Sequence, residues 1–474
     1  MTDVGPLAAA AAAAAPAFEA LGRERRATLL DELAGALEAD RQQIVAVADA
    51  ETRLGTSRLN GELTRTCYQL RLFGEVLREG SYLEATIDPP ADTPMGPRPD
   101  LRRMLVPVGP VGVFGASNFP LAFSVPGGDT ASALAAGCPV VAKAHPSHPD
   151  TSRRTYEVMA AVLPSGVLGL VEGYEAGATL VQHPAIKAVG FTGSTAGGRA
   201  LFDLASRRPE PIPFYGELGS LNPLVVTPRA AAERPDEIAE GYVASATLGT
   251  GQFCTKPGLM FVPAGADRLR ERLAAAVAAV PAGPMLNDSI RDAYQAELSR
   301  RREDSRLSAI GEGATGEHPG VPALFGVAAT DLHGDLLEEC FGPSALVVEY
   351  ADLGELRAAL ERLDGQLTAT VHSADGEEST VGELHDVLRQ RAGRLVFGGY
   401  PTGVAVTWAM HHGGPYPAAT SSGHTSVGAT SIRRWLRPVS YQNAPQGVLP
   451  AELRDGNPAG IPRRVDGILE LPPR

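Results

Sequence analysis

Cys254 stands in the stretch GQFCTKPGL, between a glycine-containing approach and a Lys-Pro-Gly turn. A thiolate is a strong nucleophile, and a loop cysteine near helix N-termini and backbone amides is the type that becomes activated. An inert, buried cysteine that acts as a small apolar residue could occupy the same local sequence. The residues around Cys254 alone therefore leave a nucleophilic and a structural role equally open.

Two polar residues nearer the N-terminus could assist such a nucleophile. Asn118 follows a strand-like run in VFGASNFPLAF, where its amide could donate a hydrogen bond to a developing oxyanion or its side chain could cap the next helix. Glu217 lies in the apolar, glycine-containing turn FYGELGSLNP, and burial there would raise the pKa of its carboxyl towards a value useful for a general base. The alternative for Glu217 is an exposed loop glutamate.

Two glycine-containing turns complete the set of candidate motifs. VGFTGSTAGGRALF leads from a strand through Gly193 and Ser194 into a helix, and a helix N-terminus can bind an anion. Its spacing is not the G-x-G-x-x-G fingerprint of dinucleotide sites, so this stretch is a weak signal by itself. In LLEECFGPSALVV, Glu339 and Phe341 precede a Gly-Pro turn into a β run, which alone predicts only a turn.

The elements that would position these residues alternate between strand and helix from Met104 onwards. Buried runs such as PVVAKAH are separated by helical segments such as TSRRTYEVMAAVL, which predicts a parallel sheet with helices on its faces. A second α/β stretch extends from about residue 236 to 406, and residues 21–83 have helical periodicity. The proline-rich stretches at residues 88–103 and 433–474 predict a loop or hairpin arm and an extended tail.

Composition excludes several classes of function. The chain has 474 residues and a formal net charge of −13, which argues against a nucleic-acid surface. Four cysteines without a CxxC pair predict neither a zinc site nor a disulfide framework, and they fit reduced thiols in the cytoplasm. We expect no bound metal, no signal peptide and no membrane span.

Taken together and in order, the five motifs are far more specific than any one of them. Asn-Phe-Pro, Phe-Thr-Gly-Ser, Glu-Leu-Gly, Gly-Gln-x-Cys and Glu-x-Phe-Gly-Pro resemble the motifs of the aldehyde dehydrogenase superfamily, over a match from about Phe18 to beyond Gly428. The resemblance implies an α/β fold with a Rossmann-like cofactor domain, an α/β catalytic domain and a small arm for assembly into a homodimer or homotetramer. We predict the NAD(P)-binding domain at residues 1–87 and 107–219, the catalytic domain at 220–432, and the oligomerisation arm and tail at 88–106 and 433–474.

The resemblance also implies roles for individual residues. Cys254 would attack the aldehyde, Asn118 would hold the oxyanion, and Glu217 would activate water and assist deprotonation of the thiol. The residues implied in cofactor binding are Gly115, Ala116, Ser117, Lys143, His145, Ser147, Phe191, Thr192, Gly193, Ser194, Leu218, Glu339 and Phe341.

Two departures from the family pattern bear on the cofactor and on proton transfer. Many relatives have a glutamate three positions after the lysine that corresponds to Lys143, and Pro146 stands there in this chain. Loss of that carboxylate removes repulsion of a 2′-phosphate, so we predict NADP as the cofactor, with NAD as the alternative. Many relatives also have a lysine, sometimes assigned to proton relay, in the stretch that reads SVPGGDTASAL here, so protons must leave by another route or through water.

The long motifs VFGASNFPLAFSVPGGDTASALAAGCPVVAKAHPSHP and HHGGPYPAATSSGHTSVG resemble the bacterial α-ketoglutaric semialdehyde (2,5-dioxovalerate) dehydrogenase branch. We therefore predict NADP-dependent oxidation of α-ketoglutaric semialdehyde. Arg65 and Gln69 on one helix face could bind the 2-oxo acid end, with Ser421, Ser422 and Thr425 as further candidates; alternatively, Arg65 is a surface residue in an ion pair.

Two other functions remain open from the sequence. The same long motif also occurs in an NADP-linked fatty-aldehyde dehydrogenase branch. A long aliphatic aldehyde would need an apolar tunnel, for which the candidates are Phe119, Phe253 and Trp408. The alternative from another class is a catalytically silent, ligand-binding relative, although the presence of Cys254, Asn118 and Glu217 together argues against it.

Overall fold

The computed structural model describes residues 3–472. The α-helices of this part of the chain are α1 Val4–Ala20, α2 Gly22–Ala39, α3 Arg41–Thr52, α4 Thr56–Glu79, α5 Gly128–Ala136, α6 Pro149–Ala160, α7 Tyr174–Gln182, α8 Thr195–Ser206, α9 Pro228–Glu233, α10 Pro235–Thr247, α11 Asp267–Ala278, α12 Asp288–Glu303, α13 Leu353–Glu361 and α14 Glu378–Leu388.

The strands are β1 Thr86–Asp88, β2 Ala91–Thr93, β3 Gly96–Arg98, β4 Leu101–Pro107, β5 Val111–Phe114, β6 Val140–Lys143, β7 Leu168–Val171, β8 Ala188–Thr192, β9 Phe214–Glu217, β10 Leu224–Val226, β11 Leu259–Pro263, β12 Ser308–Glu312, β13 Ala323–Ala328, β14 Ser344–Tyr350, β15 Gln366–His372, β16 Ala392–Phe397, β17 Leu436–Gln442, β18 Arg463–Val465 and β19 Ile468–Glu470.

The first sheet carries most of the predicted motifs at one edge. Its five strands are parallel, in the order β7-β6-β5-β8-β9. Strands β5 and β6 are buried along their whole length, as expected for a parallel sheet covered by helices. Phe114 is paired with Lys143 on one side and Phe191 on the other, and Thr192 is paired with Glu217, so the carboxyl ends of these strands form one edge.

The second sheet, in the order β12-β13-β14-β11-β10-β15-β16, is parallel except for the edge strand β12. It lies within the segment predicted as the catalytic domain. Helix α10 and strand β11 border the turn that holds Cys254. Together the two sheets confirm the predicted α/β fold class.

A third sheet, in the order β17-β4-β1-β18-β19, joins strands from residues 86–107 and 436–470. Strands β2 and β3 form a hairpin within residues 88–103, the stretch predicted as a loop or hairpin arm. Exposed apolar side chains of Ile468, Leu469 and Leu471 lie on and next to its edge strand β19.

Helix α4 precedes the first strand of the third sheet along the chain. Its apolar side chains pack in one hydrophobic core with α2 and α5, and it ends at Gly80, which has a φ of 83°. Arg58, Glu62, Arg65 and Gln69 recur along it at helical spacing.

No single helix within residues 3–472 is long and apolar enough to cross a membrane, although α1 and α2, bent by 114° at their junction, meet the length and composition criteria as a pair.

Candidate active site

Cys254 lies in a tight turn between α10 and β11. Before it, Gly249, Thr250 and Gly251 have φ values of 58°, 58° and 64°. A Cβ built on Gly251 would lie 2.3 Å from the carbonyl oxygen of Gly342. The close approach excludes a side chain at this position, and it holds the cysteine turn against the loop that follows Glu339.

Asn118 lies beside the cysteine turn, at the carboxyl edge of the first sheet. Its Nδ2 donates a hydrogen bond of 3.0 Å to the carbonyl oxygen of Gln252, and its own carbonyl accepts one of 2.6 Å from Arg58. Helix α5 begins ten residues later with Gly127 as its N-cap, so Asn118 caps no helix within the described chain. An amide nitrogen carries two hydrogens, and the second is available for a ligand oxygen near Cys254.

His412 joins Cys254 to Glu217. The Cys254 Sγ lies 3.6 Å from Nε2 of His412, and the same Nε2 lies 2.9 Å from Oε1 of Glu217. The hydroxyl of Ser426 donates to the other carboxylate oxygen at 2.5 Å. Because an ionised carboxylate can only accept hydrogen bonds, we assign the proton of the imidazole to Nε2.

Both Glu217 and His412 are buried, and their surroundings set the charges of the site. Burial favours the neutral carboxyl, but the electrostatic attraction and hydrogen bond of the His412 ring, with further hydrogen bonds from Ser426 and Cys254, hold the pKa of Glu217 below its ordinary value. The expectation that burial raises the pKa of Glu217 is therefore wrong in its net direction. Desolvation and the negative charge of Glu217 raise the pKa of Cys254 well above its ordinary value, so the thiol needs a base to react.

Sequence reasoning missed His412. The stretch HHGGPYPAATSSGHTSVG contributes to the family resemblance without a role for either histidine, and 158 residues separate His412 from Cys254. The signal that could have found it is a pair of histidines in a segment without periodicity. Within residues 3–472, Glu217, Cys254 and His412 are also the group whose donor atoms could hold a metal ion, since these atoms lie within 4.8 Å of one another. No metal was predicted.

A cleft of about 670 Å³ extends from Cys254 along the carboxyl edge of the first sheet. The predicted cofactor residues that line it are Ala116, Ser117, His145, Ser147, Thr192, Gly193, Ser194, Leu218, Glu339 and Phe341. Ser194 is the N-cap of α8, so the helix N-terminus faces the cleft as an anion site. The size of the cleft and this anion site fit a dinucleotide.

Three predicted cofactor residues stand behind the cleft wall. Gly115 donates its N–H to the carbonyl of Lys143, and the Lys143 ammonium lies 5.2 Å from the ring centre of Tyr174, which does line the cleft. Burial lowers the pKa of Lys143. Phe191 packs against Phe114 and under Gly193, where it supports the turn.

Glu339 faces the same cleft from the second sheet. Burial raises the pKa of its carboxyl to about 7, although the charge of Lys256 opposes the rise. The Lys256 ammonium is buried and donates to the carbonyl oxygens of Cys340, Gly342 and Ser344, the last two at 2.9 and 3.0 Å. Lys256 thus ties the cysteine turn to the loop that carries Glu339.

Aromatic and cationic side chains lie on the other side of Cys254. The Phe119 and Phe253 rings meet edge to face at 5.2 Å, and the guanidinium of Arg58 lies about 5 Å from both ring centres. The guanidinium of Arg65 lies 5.1 Å from the Phe123 ring centre, and its buried Nη1 has no hydrogen-bond partner within the described residues. Arg65 is half-buried and its Nη2 donates to the carbonyl oxygen of Val404 at 3.4 Å, so the alternative of a surface ion pair does not apply.

The sequence did not indicate Arg394, which has a similar environment. Its buried Nε also has no partner among residues 3–472, and both Arg394 and Arg65 lie close enough to Cys254 to interact electrostatically with its thiolate form. Gln69 is 1% exposed and packs against Gly128, whereas Trp408 is 45% exposed.

Comparison with known proteins agrees with this site. The profile described as "Aldehyde dehydrogenase family" matches residues 1–414. The chain therefore belongs to the aldehyde dehydrogenase family. It is 48% identical to alpha-ketoglutaric semialdehyde dehydrogenase 2 of Azospirillum brasilense, over 96% of this chain and 89% of the relative. It is 43% identical to alpha-ketoglutaric semialdehyde dehydrogenase of Acinetobacter baylyi, over 99% and 92% of the two chains.

Solved structures share the fold. A 1-pyrroline-5-carboxylate dehydrogenase from Thermus with bound NAD superposes with a TM-score of 0.80 at 21% identity, over 92% of this chain and 85% of that one. A bifunctional proline utilization A protein gives the same TM-score at 26% identity over 92% of this chain, which spans 44% of that longer protein.

Proposed function

We propose that this aldehyde dehydrogenase oxidises α-ketoglutaric semialdehyde (2,5-dioxopentanoate) to 2-oxoglutarate with NADP as the hydride acceptor. The observation that carries the substrate is the pair of guanidinium groups of Arg65 and Arg394. Each has a buried nitrogen without a partner among the described residues, and each lies within electrostatic reach of Cys254. The names of the relatives from Azospirillum brasilense and Acinetobacter baylyi support the same substrate.

A buried guanidinium nitrogen without an acceptor is costly, and a carboxylate is the acceptor that guanidinium groups match best. The substrate has an aldehyde at one end for Cys254 and a 2-oxo acid at the other. Binding of its carboxylate between Arg65 and Arg394 would satisfy both groups and would leave the aldehyde at the thiol.

A medium or long aliphatic aldehyde is the second candidate. The rings of Phe119 and Phe253 and the exposed Trp408 offer it an apolar surface. An alkyl chain offers no acceptor to Arg65 and Arg394, so the cations favour the semialdehyde. A catalytically silent relative is disfavoured, because Asn118 and Cys254 line one cleft and Glu217 lies next to Cys254.

The first chemical step needs the thiol to lose its proton. The donor atoms of Cys254, His412 and Glu217 lie within 4.8 Å, so the proton passes to the buried His412–Glu217 pair. The thiolate adds to the aldehyde carbon as a thiohemiacetal. The Asn118 amide and the backbone N–H of Cys254 donate to the oxygen that becomes negative.

When bound, NADP supplies the acceptor for the hydride that leaves the thiohemiacetal, and the enzyme is left as a thioester. Ala116, Ser117 and the N-terminus of α8 would hold the dinucleotide, with Glu339 at the nicotinamide ribose. Glu217, returned to its ionised form, takes a proton from the water that attacks the thioester. The acid leaves, and the Cys254 thiolate is regenerated.

The preference for NADP rests on the end of the cleft near β6. Pro146, which carries no carboxylate, lines this end, and His145 and Ser147 offer hydrogen-bonding groups for a 2′-phosphate. The Lys143 ammonium, which lies behind the wall next to Tyr174, would attract the phosphate from there. Asn287 reinforces this end by donating to Ser147 at 2.8 Å.

A steady-state panel tests the proposal. We expect kcat/KM to be highest for 2,5-dioxopentanoate with NADP when it is compared with succinate semialdehyde and decanal, each with NAD and NADP. Lys143→Ala should reduce the NADP preference and spare the reaction with NAD. A higher kcat/KM for decanal would reject the semialdehyde, and a preference for NAD would reject the assigned cofactor.

Assembly and compartment belong to the same proposal. We propose a homodimer or homotetramer, in which the apolar residues on and next to β19 are covered by a second copy. The four cysteines are unpaired, which fits the reducing cytoplasm. Light scattering of the purified protein gives its mass in solution, and a monomer at micromolar concentration would contradict the assembly.

A further inference from the structure

A small cavity that shares no lining residue with the cofactor cleft is bordered by Glu217. Its volume is about 20 Å³, which is enough for one water molecule. Glu217, His412 and Ser426 border one part of it. Tyr215, Ser421, His424 and Arg434 border the rest, and the next residues, Ser422 and Gly423, are exposed.

Nδ1 of His412 supplies a second observation. This atom is buried and has no hydrogen-bond partner within residues 3–472. With Nε2 protonated towards Glu217, Nδ1 is an acceptor, and His412 is one of the residues that line the cavity. A water in the cavity would satisfy it, since buried waters bind otherwise unsatisfied polar groups.

A titratable residue close to solvent, His424, also borders the cavity. His424 is half-buried, and its Nδ1 lies 2.8 Å from the Ser421 hydroxyl. The ring packs on Tyr215 at 5.0 Å. Burial and the charges of Arg434 and Arg433 lower the pKa of His424, so the imidazole is neutral near pH 7 and able to accept a proton.

Asp129 belongs to the stretch SVPGGDTASAL, which contains no lysine. Here it forms an ion pair of 2.5 Å with Arg434, which borders the cavity. This stretch therefore offers no titratable amine, and the ion pair fixes one wall of the cavity.

We propose that this cavity is the proton exit of the enzyme, and that protons pass from Glu217 and Ser426 through a cavity water to His424 and then to solvent. The proposal rests on the proposed mechanism but not on the choice of aldehyde. Each turnover converts an aldehyde, water and the oxidised cofactor into a carboxylate, the reduced cofactor and two protons. The proton that leaves the Cys254 thiol is replaced at the end of the cycle, so the two protons released in each turnover come from the attacking water.

The chain of contacts is continuous at its buried end. Glu217 takes a proton from the thiol or from water, and the Ser426 hydroxyl at 2.5 Å can accept it while passing its own hydrogen to the cavity water. The water, fixed by Nδ1 of His412, hands a proton to the free nitrogen of His424. His424 therefore receives protons only after they have left the thiol or the attacking water.

The test is His424→Ala in a low concentration of a buffer without imidazole, with 2,5-dioxopentanoate and with propanal. We expect kcat to fall by about tenfold with either aldehyde while the first-turnover rate of NADPH formation is retained. Added imidazole should restore kcat in a saturable manner, and the solvent deuterium isotope effect on kcat should exceed that of the wild type.

His385→Ala is the matched control, because His385 is exposed on α14 and does not border the cavity. Its kcat should equal that of the wild type in every buffer. An unchanged kcat for His424→Ala overturns the relay, as does a loss that imidazole does not restore. Absence of turnover in the wild type with both aldehydes would instead reject the proposed function.

Discussion

Nε2 of His412 lies 2.9 Å from Oε1 of Glu217, although 195 residues separate them in the chain. Glu217 ends the edge strand β9 of the first sheet, and His412 comes from the loop after the second sheet. The pair gives a buried carboxylate the donor that keeps it ionised, and it places that base next to a thiol that is protonated at rest.

Removal of the imidazole is predicted to reduce the fraction of Glu217 that is ionised and able to act as a base. In His412→Leu the carboxyl loses its main donor, so its pKa rises and the acid limb of kcat/KM against pH moves to higher pH. His412→Gln retains a neutral donor and should move the limb less. At pH 7 we expect kcat of the Leu variant to fall by about 10- to 100-fold.

Stability provides an independent measurement of the same pair. A carboxyl whose folded pKa lies below its unfolded pKa stabilises the fold above the unfolded pKa, and this stabilisation is lost as pH falls through the folded pKa. Urea unfolding of the wild type and of His412→Leu should therefore differ most near neutral pH and converge in acid. Identical pH profiles of activity for the wild type and the Leu variant would contradict the role of His412.

Replacement of Arg65 or of Arg394 is predicted to lower kcat/KM for a charged aldehyde and to spare that for an uncharged one. In Arg65→Met and in Arg394→Met, kcat/KM for 2,5-dioxopentanoate should fall by about 100-fold, mainly through KM, because each loses a charge-assisted hydrogen bond to the carboxylate. The value for pentanal should remain within a few-fold of the wild type.

The control for these variants is Arg357→Met, which breaks an exposed i,i+4 ion pair with Glu361 on α13. It should leave both substrates unaffected. A parallel loss for 2,5-dioxopentanoate and pentanal would show that the arginines support the fold and not the carboxylate.

Gly251→Ala is predicted to disrupt the cysteine turn. A left-handed φ costs a residue with a Cβ about 1–2 kcal/mol, and here the Cβ would also meet the Gly342 carbonyl. Gly265→Ala is the matched control, because its φ is 78° but no atom lies within 4 Å of the built Cβ. Urea unfolding should show a larger loss of stability for Gly251→Ala, with loss of activity in that variant alone; equal losses would contradict the steric argument.

Much of the site could be predicted because it lies at strand ends. Asn118, Gly193 and Glu217 each follow or end a buried apolar run, and parallel strands bring such ends to one edge. The order of the motifs then identified the family. The fold class followed from the alternation of strands and helices, which local hydrophobicity determines.

The remaining features depend on contacts between distant segments. Arg394 lies on β16 and His412 in the loop after it, so both approach Cys254 from segments far along the chain, and no local pattern in the sequence shows this. The direction of the Glu217 pKa shift depends on His412 and Ser426, so the local sequence of Glu217 could indicate burial but not the donors that outweigh it.

The pKa of Glu339 near 7 predicts pH-dependent cofactor binding. An ionised carboxylate accepts hydrogen bonds from ribose hydroxyls better than a neutral carboxyl, so the Kd for NAD should decrease as pH rises through about 7. NAD is the suitable probe, because the 2′-phosphate of NADP ionises in the same range. Calorimetric titration between about pH 6 and 8 should show the transition in the wild type, no transition in Glu339→Gln, and a transition at higher pH in Lys256→Met, where the opposing cation is removed. A wild-type Kd that is constant over this range would exclude Glu339 from the ribose site, and a transition that persists in Glu339→Gln would assign it to another group.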